Sequence, residues 1–207
     1  MTIGEMHGIL LELKNQGQVG YHPREIIDRA LNMGSYDKHN QEKSEFERTQ
    51  KISGDLAPFK TRSTINLTAG VGSLPALYDY ATNASTTGNL IIDIVPEAEW
   101  LDRINDPIAV PDATHPIMAI RSDISVIPTS LTSVYLYYLR RPVDMSFAYS
   151  QDGDGNITQN VGSSVNCDWP PSCHVDIILR ACGYLGVSLN EDMLLKLKSF
   201  KAQTERV

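Results

Sequence analysis

The segment 97–142, EAEWLDRINDPIAVPDATHPIMAIRSDISVIPTSLTSVYLYYLRRP, reads as a short helix, a proline-punctuated connector and then closely spaced strands. Pro96 is placed to start the helix EAEWLDRI, because its fixed φ is tolerated in a first turn. Glu99 and Arg103 stand four apart in the favourable orientation, a pairing that contributes a few tenths of a kcal/mol. Strands are expected around Ile117–Ile120, Ile124–Ile127 and Ser133–Leu139. In the last of them Val134, Leu136 and Tyr138 alternate with Ser133, Tyr135 and Tyr137, so both faces are partly apolar. Such a strand is covered on both sides, by the core and by a helix or a partner. No residue in the segment is arranged for chemistry; what it specifies is shape, which points to assembly.

Upstream, RSTINLT (62–68) alternates as a strand with Ile65 and Leu67 facing one way. AGVGSLP is a turn-rich break, ATNASTTGN (81–89) is expected as an exposed polar loop or hairpin tip, and LIIDIV follows as a strand. The N-terminal quarter is helical. Ile3, Met6, Ile9, Leu10 and Leu13 give one apolar stripe that ends at Asn15-Gln16-Gly17. A second helix opens at Pro23 with Glu25 in its first turn, burying Ile26, Ile27, Ala30 and Leu31. Gly34-Ser35 is expected to break it, and a polar helical stretch resumes at 38–53 with Phe46 and Ile52 as its few core residues, stopping near Gly54 or Pro58. A face that sparse suits packing on one side against a neighbouring subunit.

Downstream, MSFAYS and NITQNV flank Asp152-Gly153-Asp154-Gly155 as a hairpin, since Asp-Gly supplies the positive φ of a tight turn. After Pro170-Pro171, CHVDIILRACGYLG is helical with Ile177, Ile178, Ala181 and Leu185 inward and Gly186 as its cap. Ser188 and Glu191 have capping-box spacing for a last helix that buries Leu189, Met193, Leu194, Leu197 and Phe200. The fold class expected is therefore α+β, with N- and C-terminal helices packed around a central, mainly antiparallel β region with a hairpin. The segments are 1–59 helical, 60–168 β-rich with one short helix at about 96–105, and 169–207 helical, forming one structural unit overall.

With 18 Lys and Arg against 25 Asp and Glu, the 207-residue chain carries −7, which disfavours a general nucleic-acid coat. No run approaches the ~18 apolar residues of a membrane span. MTIGEMHGILLELK has Glu5 before its apolar residues and no basic leader, so a secretory signal is not expected. Three cysteines, an odd number, suit a reducing cytosol. Asp152, Asp154 and Asn156 stand at positions one, three and five of a calcium loop, but position six is Ile157 and position twelve Ser163, which favours a plain hairpin turn. Cys167, Cys173 and His174, with Cys182, could be soft metal ligands, yet their spacing fits no finger and buried structural thiols are the stronger reading. Glu97, Glu99, Asp102 and Asp106 read as a solvated helix face, and the five histidines accompany no nucleophile motif. Gly70 and Gly72 precede no helix with Lys-Ser/Thr, so no phosphate loop is expected. Neither a catalytic residue, a metal nor a cofactor is assigned.

The ordered strings ALNMGSYDKHNQEKSEFERTQK with DLAPF, EWLDRINDP, HPIMAI, ISVIP, VYLYYLRRP and CDWPPSCHVDIILRACGYLGVSL span residues 30–189. Together they resemble the head-to-tail connector (neck, adaptor or ring) proteins of tailed bacteriophages, most nearly those of crAss-like and related short-tailed phages. The resemblance implies a virion protein made in the host cytoplasm that joins the portal protein to the tail. It would do so as a homo-oligomeric, twelve-fold ring beside other neck or tail proteins, lining the channel for genomic DNA without sequence-specific binding and touching no membrane. An acidic lumen would let DNA slide, because like charges repel. Subunit-interface candidates are Phe46, Arg48, Tyr135, Tyr137, Arg140 and Arg141, with the 81–89 loop; portal-binding candidates are Lys196, Lys198, Lys201 and Arg206 on the last helix. The rival expectations are a tail or capsid accessory module that binds carbohydrate or another virion protein, and a metal-dependent enzyme built on Cys167, Cys173 and His174.

Overall fold

Apolar spacing and turn residues divide the chain into α1 (Ile3–Gln16), α2 (Arg24–Thr49), β1 (Lys60–Asn66), β2 (Val71–Ser73), β3 (Tyr78–Thr86), β4 (Asp93–Ile94), α3 (Glu97–Ile104), β5 (Ile117–Ile120), β6 (Asp123–Ile127), β7 (Ser133–Arg140), β8 (Tyr149–Gln151), β9 (Ile157–Gln159) and α4 (His174–Tyr184). The computed structural model describes residues 1–16, 23–51, 53–154, 156–187 and 197. The chain is α+β, as its sequence pattern indicates. It packs as two compact units, Met1–Pro58 with Pro142–Val207, and Phe59–Arg141.

In the helical unit α1 buries Ile3, Met6, Ile9, Leu10 and Leu13, the five residues of its apolar stripe. α2 runs through Gly34-Ser35 without interruption, which corrects the expected break. The reason is packing. A Cβ on Gly34 would stand 2.8 Å from the Ile177 carbonyl oxygen, so glycine lets α2 and α4 approach backbone to backbone. Ser35 accepts the Trp169 indole N–H at 2.9 Å instead of turning the chain. The helix stops at Thr49, earlier than expected, where Gln50 takes φ 57° and its N–H returns to the Phe46 carbonyl at 2.7 Å. α4 turns Ile177, Ile178 and Ala181 inward, and Gly186 beyond it adopts φ 69°.

The expected hairpin forms as β8–β9, but Gly153 does not take the positive φ expected of it; the turn is instead tied by Asp152, which accepts N–H groups of Asp154 and Asn156. It belongs with the helices, which alters the expected division at 60–168 into a single β region. Side chains of α2 hold the segment before it. Asn32 exchanges two hydrogen bonds with the Met145 backbone, and Asp28 accepts the Phe147 N–H. These are polar bonds between distant parts of the sequence, invisible to periodicity. Ser188, Leu189, Glu191, Met193, Leu194 and Phe200 of the expected last helix, like Ile52, lie outside the described residues.

The β unit contains two sheets, β1-β7-β3 and β2-β6-β5-β4, antiparallel except for the β4–β5 pair. Hairpins join them at both edges, through the Thr68–Val71 bridge between β1 and β2 and the Ser85–Ile91 bridge after β3. The sheets thereby close around one core of Ile65, Leu67, Ala84, Ile92, Met118, Ile124, Val126, Val134, Leu136 and Tyr138. Gly72 suits this closure: a Cβ there would press on the side chains of Ile65 in β1 and Leu67 just after it at under 3 Å. Because strand side chains alternate, Ile117 and Ala119 leave the core on the outer face of the second sheet. There they meet Val95 and Trp100, so α3 covers that face.

Two local expectations change. Residues 81–86 of the polar tract are the end of β3, paired to β7 through Ala84–Leu136 and Ser85–Tyr135, and only Thr87-Gly88-Asn89 remain as a tip. Arg103 bonds Asp93 at 2.6 Å rather than Glu99, and Glu97 pairs with Arg121. Tertiary partners outcompete the helical i,i+4 pairing, which is weak at a surface.

Candidate functional site

The β7 side chains that alternate away from the core form the first surface of note. Tyr135 and Tyr137 lie half-buried on the outer face of the first sheet. The β1–β7 register sets Arg62 opposite Tyr137 and Thr64 opposite Tyr135. The exposed Arg62 guanidinium stands 4.7 Å from the Tyr135 ring centre and 6.0 Å from that of Tyr137, within cation–π range. Its hydrogen bond also holds the Tyr137 phenol below the ordinary tyrosine pKa. Tyr and Arg are the residue types enriched where proteins bind one another. Arg62 carries no signal in the sequence, since its proximity depends on strand register.

A second surface lies around a hollow of about 540 Å³ lined by Ile91, Arg103, Ile108, Val110 and His115 among others. Ile108 is 94% exposed, Ile91 74% and Val110 63%; Leu101 on α3, outside the hollow's lining, is 69% exposed. Scattered exposed aliphatics are ordinary, but several gathered around one concavity mark an interaction site. Covering each would contribute about 1.5–3 kcal/mol. The turns of the connector are tied by its own acids. Asp106 accepts the N–H groups of Ile108 and Ala109, and Asp112 accepts the Thr114 hydroxyl and the N–H groups of His115 and Thr114. Those bonds bring Asp112 down to about 2. The proline-rich spelling of 106–116 announced a rigid connector; that its aliphatic residues face water was not legible.

The remaining interface candidates are dispersed. Phe46 is buried inside its own unit, so it is not available to a neighbour, and α2 around it buries Lys38 and His39 as well. From Asn40 to Lys51 Phe46 is the one buried residue, so the face is as sparse as expected, and its own unit covers that residue. Arg48 is exposed and pairs with Glu45 at 2.5 Å. Arg140 lays its guanidinium over Phe59 at 5.2 Å, and the exposed Arg141 bonds the Leu77 carbonyl through its backbone N–H. Lys196, Lys198, Lys201 and Arg206 lie outside the described residues.

In the helical unit Lys38 stands 3.4–3.5 Å from Asp176, Glu42 and Asp55 and 5.4 Å from the Trp169 ring. Burial disfavours its ammonium, but Cys173, Asp176, Glu42 and Asp55 more than offset that and raise its pKa. It lines a hollow of about 360 Å³ with Asp55, Ser172, Cys173 and Asp176. Burial pushes the thiol of Cys167 up to about 11, that of Cys173 to about 12 and that of Cys182 to about 11. All three are therefore thiols at neutral pH rather than nucleophilic thiolates. His174 donates its Nε2–H to the Trp169 carbonyl at 2.8 Å, and burial lowers its pKa. Among the described residues no three His, Cys, Asp or Glu side chains converge on a common point for an ion.

No family model matches the chain, and no curated protein matches it.

Proposed function

We propose that this protein is a structural component of a phage neck, a ring of copies that joins the portal to the tail and surrounds the path of the DNA. The observation that carries the proposal is the exposed aliphatic set Ile91, Ile108 and Val110 around one concavity, the last two on a connector rich in proline. A subunit destined to be covered on assembly has a use for such a surface; in a permanently solitary protein it only invites aggregation. The resemblance of the ordered strings across 30–189 to connector proteins supplies the identity of the assembly. The net charge of −7 is compatible with a channel along which DNA moves without sticking.

The test is negative-stain imaging of the purified protein, alone and with portal rings from the same virus. Rings stacked coaxially on the portal are expected. Particles the size of a single chain under both conditions would end the proposal in favour of an accessory binding module.

A further inference from the structure

The β unit presents two different surfaces on opposite sides of its core. Met118 belongs to the core, so its neighbours Ile117 and Ala119 point outward beneath α3; Leu136 belongs to the same core, so Tyr135 and Tyr137 point outward on the other sheet. The α3 side is apolar and acidic: Leu101, Ile108 and Val110 stand exposed among Glu99, Asp102 and Asp106. The opposite side is aromatic and basic, with Arg62 across Tyr135 and Tyr137 and Lys60 two residues away on the same face of β1. Arg103 and Arg121 on the α3 side are paired with Asp93 and Glu97, so the charge left over there is acidic, where the other side supplies cations.

Resting on the connector proposal above, we infer that the acidic aliphatic surface of α3 and its connector docks on the Arg62–Tyr135–Tyr137 sheet face of a second copy of this chain. Such a contact is heterologous, because each copy uses a different surface at each end. Repetition of a heterologous contact produces a closed ring when the rotation per copy divides a full turn. The aliphatic residues supply the buried centre of the contact. The acids around them meet Lys60 and Arg62, which fixes the direction of docking and speeds encounter. Two copies cannot bind face to face through the same surface, since like charges would then meet. This predicts chain-like growth from dimer upward rather than a symmetric dimer as the building block.

The experiment uses the full chain carrying Ile108→Asp with Val110→Asp, which spoils the aliphatic surface, and separately Arg62→Glu, which spoils the basic one. All three side chains are exposed, so circular-dichroism melts should match those of the parent. Each variant alone should stay monomeric, its self-association weakened at least about tenfold. An equimolar mixture should form 1:1 heterodimers and nothing larger, because one intact surface remains on each partner. Variants that still form rings like the parent overturn this docking and leave the ring proposal standing. Monomeric variants whose mixture also stays monomeric overturn the pairing of these two surfaces. A parent that never associates, alone or with portal, overturns both.

Discussion

Trp169 donates its indole N–H to the Ser35 hydroxyl at 2.9 Å inside the helical unit, a buried bond between residues far apart in the sequence. It fixes the approach to α4 against the middle of α2, at the place where the chain comes closest to Ile177 through Gly34. Ser35→Ala leaves the indole N–H without this acceptor. The expected cost is about 1–3 kcal/mol, the range for a buried donor left unsatisfied. Urea denaturation followed by helical circular dichroism measures it. A double-mutant cycle with Trp169→Phe should return a coupling of at least about 0.5 kcal/mol; additive effects would mean the bond contributes nothing of its own.

Gly34 and Gly8 should respond oppositely to alanine. Both are helical, so alanine relieves about 0.5–1 kcal/mol of backbone entropy cost at either site. At Gly8 nothing lies within 4 Å of the added methyl, and the melting temperature should rise. At Gly34 the methyl would press on the Ile177 carbonyl and the Ala181 nitrogen, which are backbone atoms that cannot swing away. Forcing α2 and α4 apart should cost about 1–3 kcal/mol and outweigh the gain.

The element pattern was largely legible because it rests on local rules. The stripe Ile3–Leu13, the helix after Pro96, the strand at 133–139 and the Asp-Gly hairpin each follow from spacing and turn chemistry within a dozen residues. What failed depended on partners far along the chain. Gly34-Ser35 looks like a break until α4 is placed against it, and the tract 81–86 looks like a loop until β7 pairs with it. The candidate surfaces divide the same way. Tyr135 and Tyr137 were found from alternation, whereas Arg62 needed the β1–β7 register; Phe46, read both as a core residue and as an interface candidate, is buried in its own unit.

Alkaline pH should loosen the helical unit first. The folded pKa of Lys38 is raised, and the thiol of Cys173 is raised to about 12. In both cases the folded chain keeps a proton that the unfolded chain gives up earlier. Their stabilisation is therefore complete below the unfolded values, about 10.4 for Lys and 8.5 for Cys, and is lost as pH rises through the folded ones. Urea midpoints should fall progressively above about pH 9. Cys173→Ala should flatten the early part of that decline; an unchanged profile would contradict the assignment.

The aliphatic surface should also be detectable in dissociated subunits. An apolar fluorescent dye should bind the monomeric Arg62→Glu chain, whose α3 side is intact, and lose most of its signal when Ile108→Asp is added. Thermal stability should stay within about 0.5 kcal/mol, because Ile108 is 94% exposed. Equal dye signal with and without the substitution would place the apolar surface elsewhere.

Assembly itself is tested most directly by the native mass of the unmodified protein across a wide concentration range. Each chain weighs 22.9 kDa. The expected spectrum ends in one closed species, at about twelve times that mass if the ring has the symmetry that the sequence resemblance implies, with short head-to-tail intermediates below it. A single-chain mass at every concentration, unchanged when portal rings are added, would contradict the account.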